Sequence, residues 1–131
     1  MNRPSSATRK RRILIVDDDD VLRRWLRVQL EARGFEVREE SQGDEALSAY
    51  ERSGPWDFVL SDLYFYRGER VKNGLELIRE IRAINRNQRL AMHTSKRDLQ
   101  AACVVLHKPY AIRKLLRLLR EPIRKPDPPL E

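Results

Sequence analysis

Short apolar runs alternate with stretches whose apolar residues recur at helical spacing, and this alternation restricts the chain more than any other feature. The runs are RILIV (12–16), DFVLS (57–61), RLAMHT (89–94) and CVVLH (103–107), continuous like parallel strands covered on both faces, while FEVRE (35–39) alternates like a half-covered edge strand. Between them, Val21, Leu22, Trp25, Leu26 and Leu30 mark a first helical stripe, with Asp20 as candidate N-cap and Gly34 as the stop. Ala46, Leu47 and Tyr50 mark a second stripe, and Leu75, Ile78, Ile81 and Ile84 a third. Ile112, Leu115, Leu116, Leu119 and Ile123 mark a fourth. The order is βαβαβαβ, a weak link, then βα. Strands and helices in this order imply a parallel sheet with right-handed crossovers and helices on both faces. Ligands then bind beyond the carboxyl ends of the strands, where the strand order reverses.

The stretch ILIVDDDD (13–20) runs four aliphatic residues straight into four aspartates. Crowded, partly desolvated carboxylates repel one another and drift upward in pKa, so a counter-charge belongs among them. Asp17 and Asp18 leave the first run and Asp62 leaves the run after Trp56, while Thr94 ends a later run and Lys108 follows the last. On neighbouring strands, three carboxylates would meet one hydroxyl and one ammonium at a single edge. A few hard oxygen ligands with an open face suit Mg²⁺, which keeps several waters and often a phosphate.

With these residues in place, the chain resembles the receiver domains of two-component response regulators. ILIVDD, WDFVLSD, GLELIREIR, HTS and LHKPY stand in that family's order between residue 12 and about residue 122. The resemblance implies a flavodoxin-like doubly wound five-stranded parallel sheet. It makes Asp62 the phosphoacceptor, gives Mg²⁺ to Asp17, Asp18, Asp62 and the backbone carbonyl of Tyr64, and assigns Thr94 to sense the phosphoryl group and Lys108 to pair with it. It also implies a cis Lys108–Pro109 bond, a histidine kinase or phosphotransfer protein as donor, and no enzymatic activity beyond the domain's own phosphorylation and dephosphorylation. The alternative is a pseudo-receiver, an adaptor that docks proteins without phosphate.

Two segments depart from the family pattern. From Asp62 to Gly74 the loop is longer than usual, and YFYRGERVKNG replaces the customary Met-Pro; Tyr64, Phe65 and Tyr66 either pack back on the domain or face a partner. Between Thr94 and Lys108 lie only SKRDLQAACVVLH, and after the strand is reserved the remainder is too short for a full crossover helix. The fourth helix is therefore expected to be shortened or absent. Val105 stands where the family often has a switching aromatic. Apolar surface at Val105, Leu115 and Leu119 is expected to lie exposed, making this flank a place for self-association or a protein partner.

At 131 residues the chain suits one domain, read here as a basic arm (1–11), a receiver (12–122) and a tail (123–131) with no attached output domain. The formal charge of +7 is concentrated in RKRR (9–12) and IRKLLRLLREPIRK (112–125), taken as a solvated arm and a wet helix face. Specific nucleic-acid binding is not expected, because no DNA-reading motif is present. A single cysteine, Cys103, excludes an internal disulfide. No apolar run approaches the ~20 residues of a membrane span, and the expectation is a cytoplasmic protein. His93 and His107 read as ordinary core or surface histidines, and Trp25 and Trp56 as core and loop packing.

Overall fold

The computed structural model describes residues 9–99, 101 and 103–120. Its elements are β1 (Arg12–Val16), α1 (Asp20–Glu31), β2 (Glu36–Glu40), α2 (Gly43–Ser53), β3 (Phe58–Asp62), α3 (Gly74–Ile84), β4 (Leu90–Thr94), β5 (Val104–His107) and α4 (Ile112–Arg120). All five strands are parallel, in the order β2-β1-β3-β4-β5. This is the flavodoxin-like doubly wound arrangement, and its strand order reverses between β1 and β3.

Because successive strand residues point to opposite faces, each apolar run feeds two cores. Leu14, Val16, Val59, Leu90 and Met92 pack against Ala46, Leu47 and Tyr50 of α2 and Leu77, Ile78 and Ile81 of α3. On the other face, Ile13, Ile15, Phe58, Leu60 and Leu106 meet Leu26 and Leu30 of α1 and Leu115, Leu116 and Leu119 of α4. The runs of β1, β3 and β4 are covered on both faces in this way, whereas β5, read from the sequence as doubly covered too, buries only Leu106.

At the start of α1 the cap is Asp19, not Asp20. Asp19 is extended, and its side chain accepts from the N–H groups of Val21 and Leu22 at 3.0 and 3.1 Å, which leaves Asp20 as the first helical residue. Trp25 is not a core residue: it is 42% exposed and lies with Val21 and Val28 on the outer face. Spacings of four and three residues align these three, whereas Leu22, Leu26 and Leu30 line the inner stripe. Trp56 is buried, with the Arg12 guanidinium 3.9 Å over its ring.

No helix joins β4 to β5 among the described residues, in line with the short link. The expected exposure of that flank needs correction. Leu115 and Leu119 are fully buried, and Val105 is half-buried. A crossover helix there would have joined the α2/α3 layer, whereas α4 belongs to the α1 layer and packs there whatever the link's length. The exposed apolar residue of β5 is Val104, at 43%.

The long loop between β3 and α3 is pinched at its base. Gly74 N–H donates to the Leu63 carbonyl at 2.7 Å, and a Cβ on Gly74 would collide with the Asp62 carbonyl oxygen. Phe65 and Val71 turn into the core beside Gly43, while Tyr64 and Tyr66 point to solvent. The aromatic trio divides: Phe65 packs back on the domain, and Tyr64 and Tyr66 face solvent. Asp44 of α2 accepts the N–H groups of Glu69, Arg70 and Val71 at 2.8 to 3.1 Å, and both terminal nitrogens of Arg70 reach Glu51 at 2.7 Å.

No described helix is long and apolar enough to cross a membrane. Residues 1–8 of the basic arm, residues 121 and 122, and the tail at 123–131 lie outside the described residues.

Candidate functional site

Pairing of β1 with β3 in parallel register, Val16 opposite Ser61, delivers Asp17 and Asp62 to one sheet edge. Ligand oxygens of Asp17, Asp18 and Asp62 all lie within 4.8 Å of one another. Asp17 is fully buried, Asp62 is 9% exposed and Asp18 faces solvent. From the end of β5, Lys108 sends Nζ to 2.8 Å from Asp17 Oδ2 and 3.4 Å from Asp62 Oδ2. The Lys108–Pro109 bond is cis, as expected. Four of the residues singled out in the sequence therefore converge.

Each carboxylate is oriented by backbone as well as by charge. Asp17 Oδ1 accepts the Asp19 N–H at 2.8 Å, and Asp62 Oδ1 accepts the Leu63 N–H at 2.8 Å. Asp62 Oδ2 is left toward Lys108. Burial pushes the Asp17 carboxyl up, yet its contacts with His93, Lys108 and the Asp19 N–H outweigh burial and hold it at about 2. Asp62 goes the other way: burial first, then the negative charge of Asp17, raise it above the ordinary carboxylate value, with Lys108 only partly opposing them. Two neighbouring carboxylates are thus shifted in opposite directions, Asp17 down and Asp62 up.

Thr94 is buried at the end of β4, one strand over from Asp62, and its Oγ1 accepts the Lys96 N–H at 3.1 Å. Its hydroxyl is engaged with its own loop rather than with Asp62. Tyr64 lies two residues past Asp62 in the exposed part of the long loop. The Asp17, Asp18 and Asp62 oxygens are hard donors, and the exposed position of Asp18 leaves room for waters, so the donor set fits Mg²⁺.

Three participants went unread in the sequence: His93, Tyr110 and Arg23. His93 is completely buried, with Nε2 2.8 Å from Asp17 Oδ2 and Nδ1 2.7 Å from the Tyr110 hydroxyl. Arg23 donates from Nη1 to the Asp17 carbonyl at 2.7 Å while its other nitrogens hold Asp20 and Glu39. Strand alternation offered one signal for His93: it stands in β4 beside the residue that ends the strand, paired with Asp62 in register.

Residues 13–120 match the family model for the response regulator receiver domain. The response regulator MprA of Mycobacterium sp. strain KMS is 30% identical over 125 residues, covering 89% of this chain and 52% of the relative. The DNA-binding response regulator MtrA of Mycobacterium bovis is 30% identical over 128 residues, covering 92% and 54%. The chain spans about half the length of these relatives. Among solved structures, the CheY-like receiver domain protein of Methanospirillum hungatei superposes with a TM-score of 0.73 at 25% identity, over 83% of this chain and 90% of that one. The chemotaxis protein CheY4 of Vibrio cholerae gives 0.74 at 23% identity, over 86% and 98%, a likeness of fold. Sheet order, converging aspartates and matched segments agree, and the chain belongs to the response regulator receiver domain family.

Proposed function

We propose that this receiver accepts a phosphoryl group on Asp62 from a histidine kinase or phosphotransfer protein and changes conformation in response. The observation that carries the proposal is the cluster of Asp17, Asp18 and Asp62 with Lys108 Nζ between two of them. Asp62 Oδ2 is the attacking atom, since Oδ1 is tied to the Leu63 N–H. Its bond to phosphorus forms as the donor's nitrogen–phosphorus bond breaks, the donor imidazole keeping the electron pair. Mg²⁺, held by Asp17, Asp18, Asp62 and the Tyr64 carbonyl, would supply neutralisation of the phosphoryl oxygens. Positive charge at this edge also favours the ionised Asp62 needed for attack, against the burial that raises it.

Lys108 already reaches both carboxylates and pairs with the new phosphoryl charge by a small movement. Thr94 then leaves the Lys96 N–H for a phosphoryl oxygen, drawing the β4–β5 link with it. The chemistry ends on the domain's own Asp62; its product is a change of shape.

Asp62→Asn and Asp62→Ala should both remain folded and lose labelling by a small phosphodonor; labelling in both variants would refute the assignment. Asp18→Ala should weaken Mg²⁺ binding severely, read by titration of the free protein against the parent chain; unchanged affinity would refute the metal assignment.

A further inference from the structure

Asp17 Oδ2 has two nitrogen neighbours at the same distance, Lys108 Nζ and His93 Nε2, each at 2.8 Å. The two contacts differ in quality. Lys108 makes a regular hydrogen bond, whereas the His93 approach lies off the line of a proper N–H bond, and Nε2 has no other polar partner although the ring is fully buried. A buried ring nitrogen without a well-aligned partner is costly, so this arrangement calls for an explanation.

The Tyr110 hydroxyl supplies the first part of it. Burial, followed by the charges of Asp17 and Asp62, raises the Tyr110 phenol far above its ordinary value, so it keeps its proton. It can donate to Nδ1 at 2.7 Å, leaving the ring proton on Nε2, facing Asp17. The reverse tautomer would aim a lone pair at an ionised carboxylate.

Lys108 supplies the second part. Resting on the phosphoacceptor reading above, the ammonium must leave Asp17 to pair with a phosphoryl group on Asp62. Asp17 is completely buried, and losing the Lys108 ammonium would take from Oδ2 its one well-aligned hydrogen-bond donor among the described residues. We propose that His93 is a positioning residue for phosphoryl acceptance: its Nε2–H stands ready beside Asp17 Oδ2 and takes over that oxygen as Lys108 transfers to Asp62. The off-axis contact then straightens into a hydrogen bond, because two donors no longer crowd one oxygen.

The test uses the full chain with Mg²⁺ and beryllofluoride, a mimic of the phosphoryl group. Side-chain ¹⁵N–¹H spectra of the parent protein should show a proton on His93 Nε2, identified by its loss in His93→Gln, and the resonance should move downfield on adding beryllofluoride. In His93→Leu, beryllofluoride affinity at saturating Mg²⁺ should fall about tenfold, the size of one hydrogen bond to a charged group. His93→Gln, which keeps an N–H donor, should recover most of that loss, and Mg²⁺ affinity alone should move less in both variants. A purely structural histidine would give equal losses in Leu and Gln. Should His93→Leu fail to fold, the parent spectrum still decides: a proton on Nδ1 alone, or an Nε2 resonance indifferent to beryllofluoride, overturns the proposal. A parent protein that takes up no beryllofluoride defeats the phosphoacceptor reading itself, whereas uptake with equal affinity in parent and His93→Leu defeats only the role of His93.

Discussion

Two loops leave the same sheet edge, and the longer one is the better held. Residues 63–73 place Leu63, Phe65 and Val71 in the core, present three N–H groups to Asp44 and grip Glu51 through Arg70. Among the described residues, the link at 95–99 has four exposed residues, a half-buried Leu99 against the core and a hydrogen bond from the Lys96 N–H to the Thr94 hydroxyl. Order in a connection follows from the partners its side chains and backbone find, not from its length.

The comparison is most easily broken at Gly74. A methyl group there would collide with the Asp62 carbonyl, and backbone cannot yield as a flexible side chain can. Gly74→Ala should cost more than about 3 kcal/mol in urea denaturation and disturb acceptor chemistry as well. A loss below about 1 kcal/mol would show that the pinch is soft. Phe65→Ala should cost about 3 kcal/mol, the lower end for a buried aromatic, because a loop residue's cavity can partly collapse.

Asp44→Ala comes next, at about 2 kcal/mol, since its N–H partners can turn to water once freed. Its acid counterpart sharpens the contrast. Burial raises the Asp44 carboxyl, but the three N–H groups and Arg70 pull it below its usual 3.8. A lowered acid contributes stability that is present above 3.8 and lost as pH falls through its folded value. Amide protection factors at 68–71, corrected for the intrinsic pH dependence of exchange, should therefore fall on acidification below that point while those at 95–99 stay comparatively level. The smallest effects belong to the short link: Arg97→Ala and Asp98→Ala should each stay within about 0.5 kcal/mol, and a larger loss in either would mean that the link is anchored after all.

The sequence was most transparent where periodicity and chemistry coincided. Apolar runs identified four strands and alternation the fifth, and the residues ending the runs identified Asp17, Asp62 and Lys108, because parallel strands deliver their carboxyl ends to one edge. It was opaque wherever a partner came from a distant segment. Asp44 looked like an ordinary first-turn acid of α2, and only the folded loop shows three N–H groups converging on it. His93 looked like a residue of an apolar run, since no sequence signal announces Tyr110 seventeen positions later as its partner. Leu115 and Leu119 were misjudged because the length of the link says nothing about which face of the sheet a later helix covers.

The pinch at Gly74 has an evolutionary consequence. With Leu63 and Gly74 joined at the base, the chain between them is a closed excursion whose size is nearly decoupled from the acceptor's geometry. Doubling such an excursion adds only about 0.6 kcal/mol of closure entropy. Insertions at 66 and 67, outside Tyr64, the buried Phe65 and the turn at 68–71 held by Asp44, should therefore leave the Asp62 edge nearly unchanged. Different surfaces can be presented beside the same acidic edge without altering the edge itself.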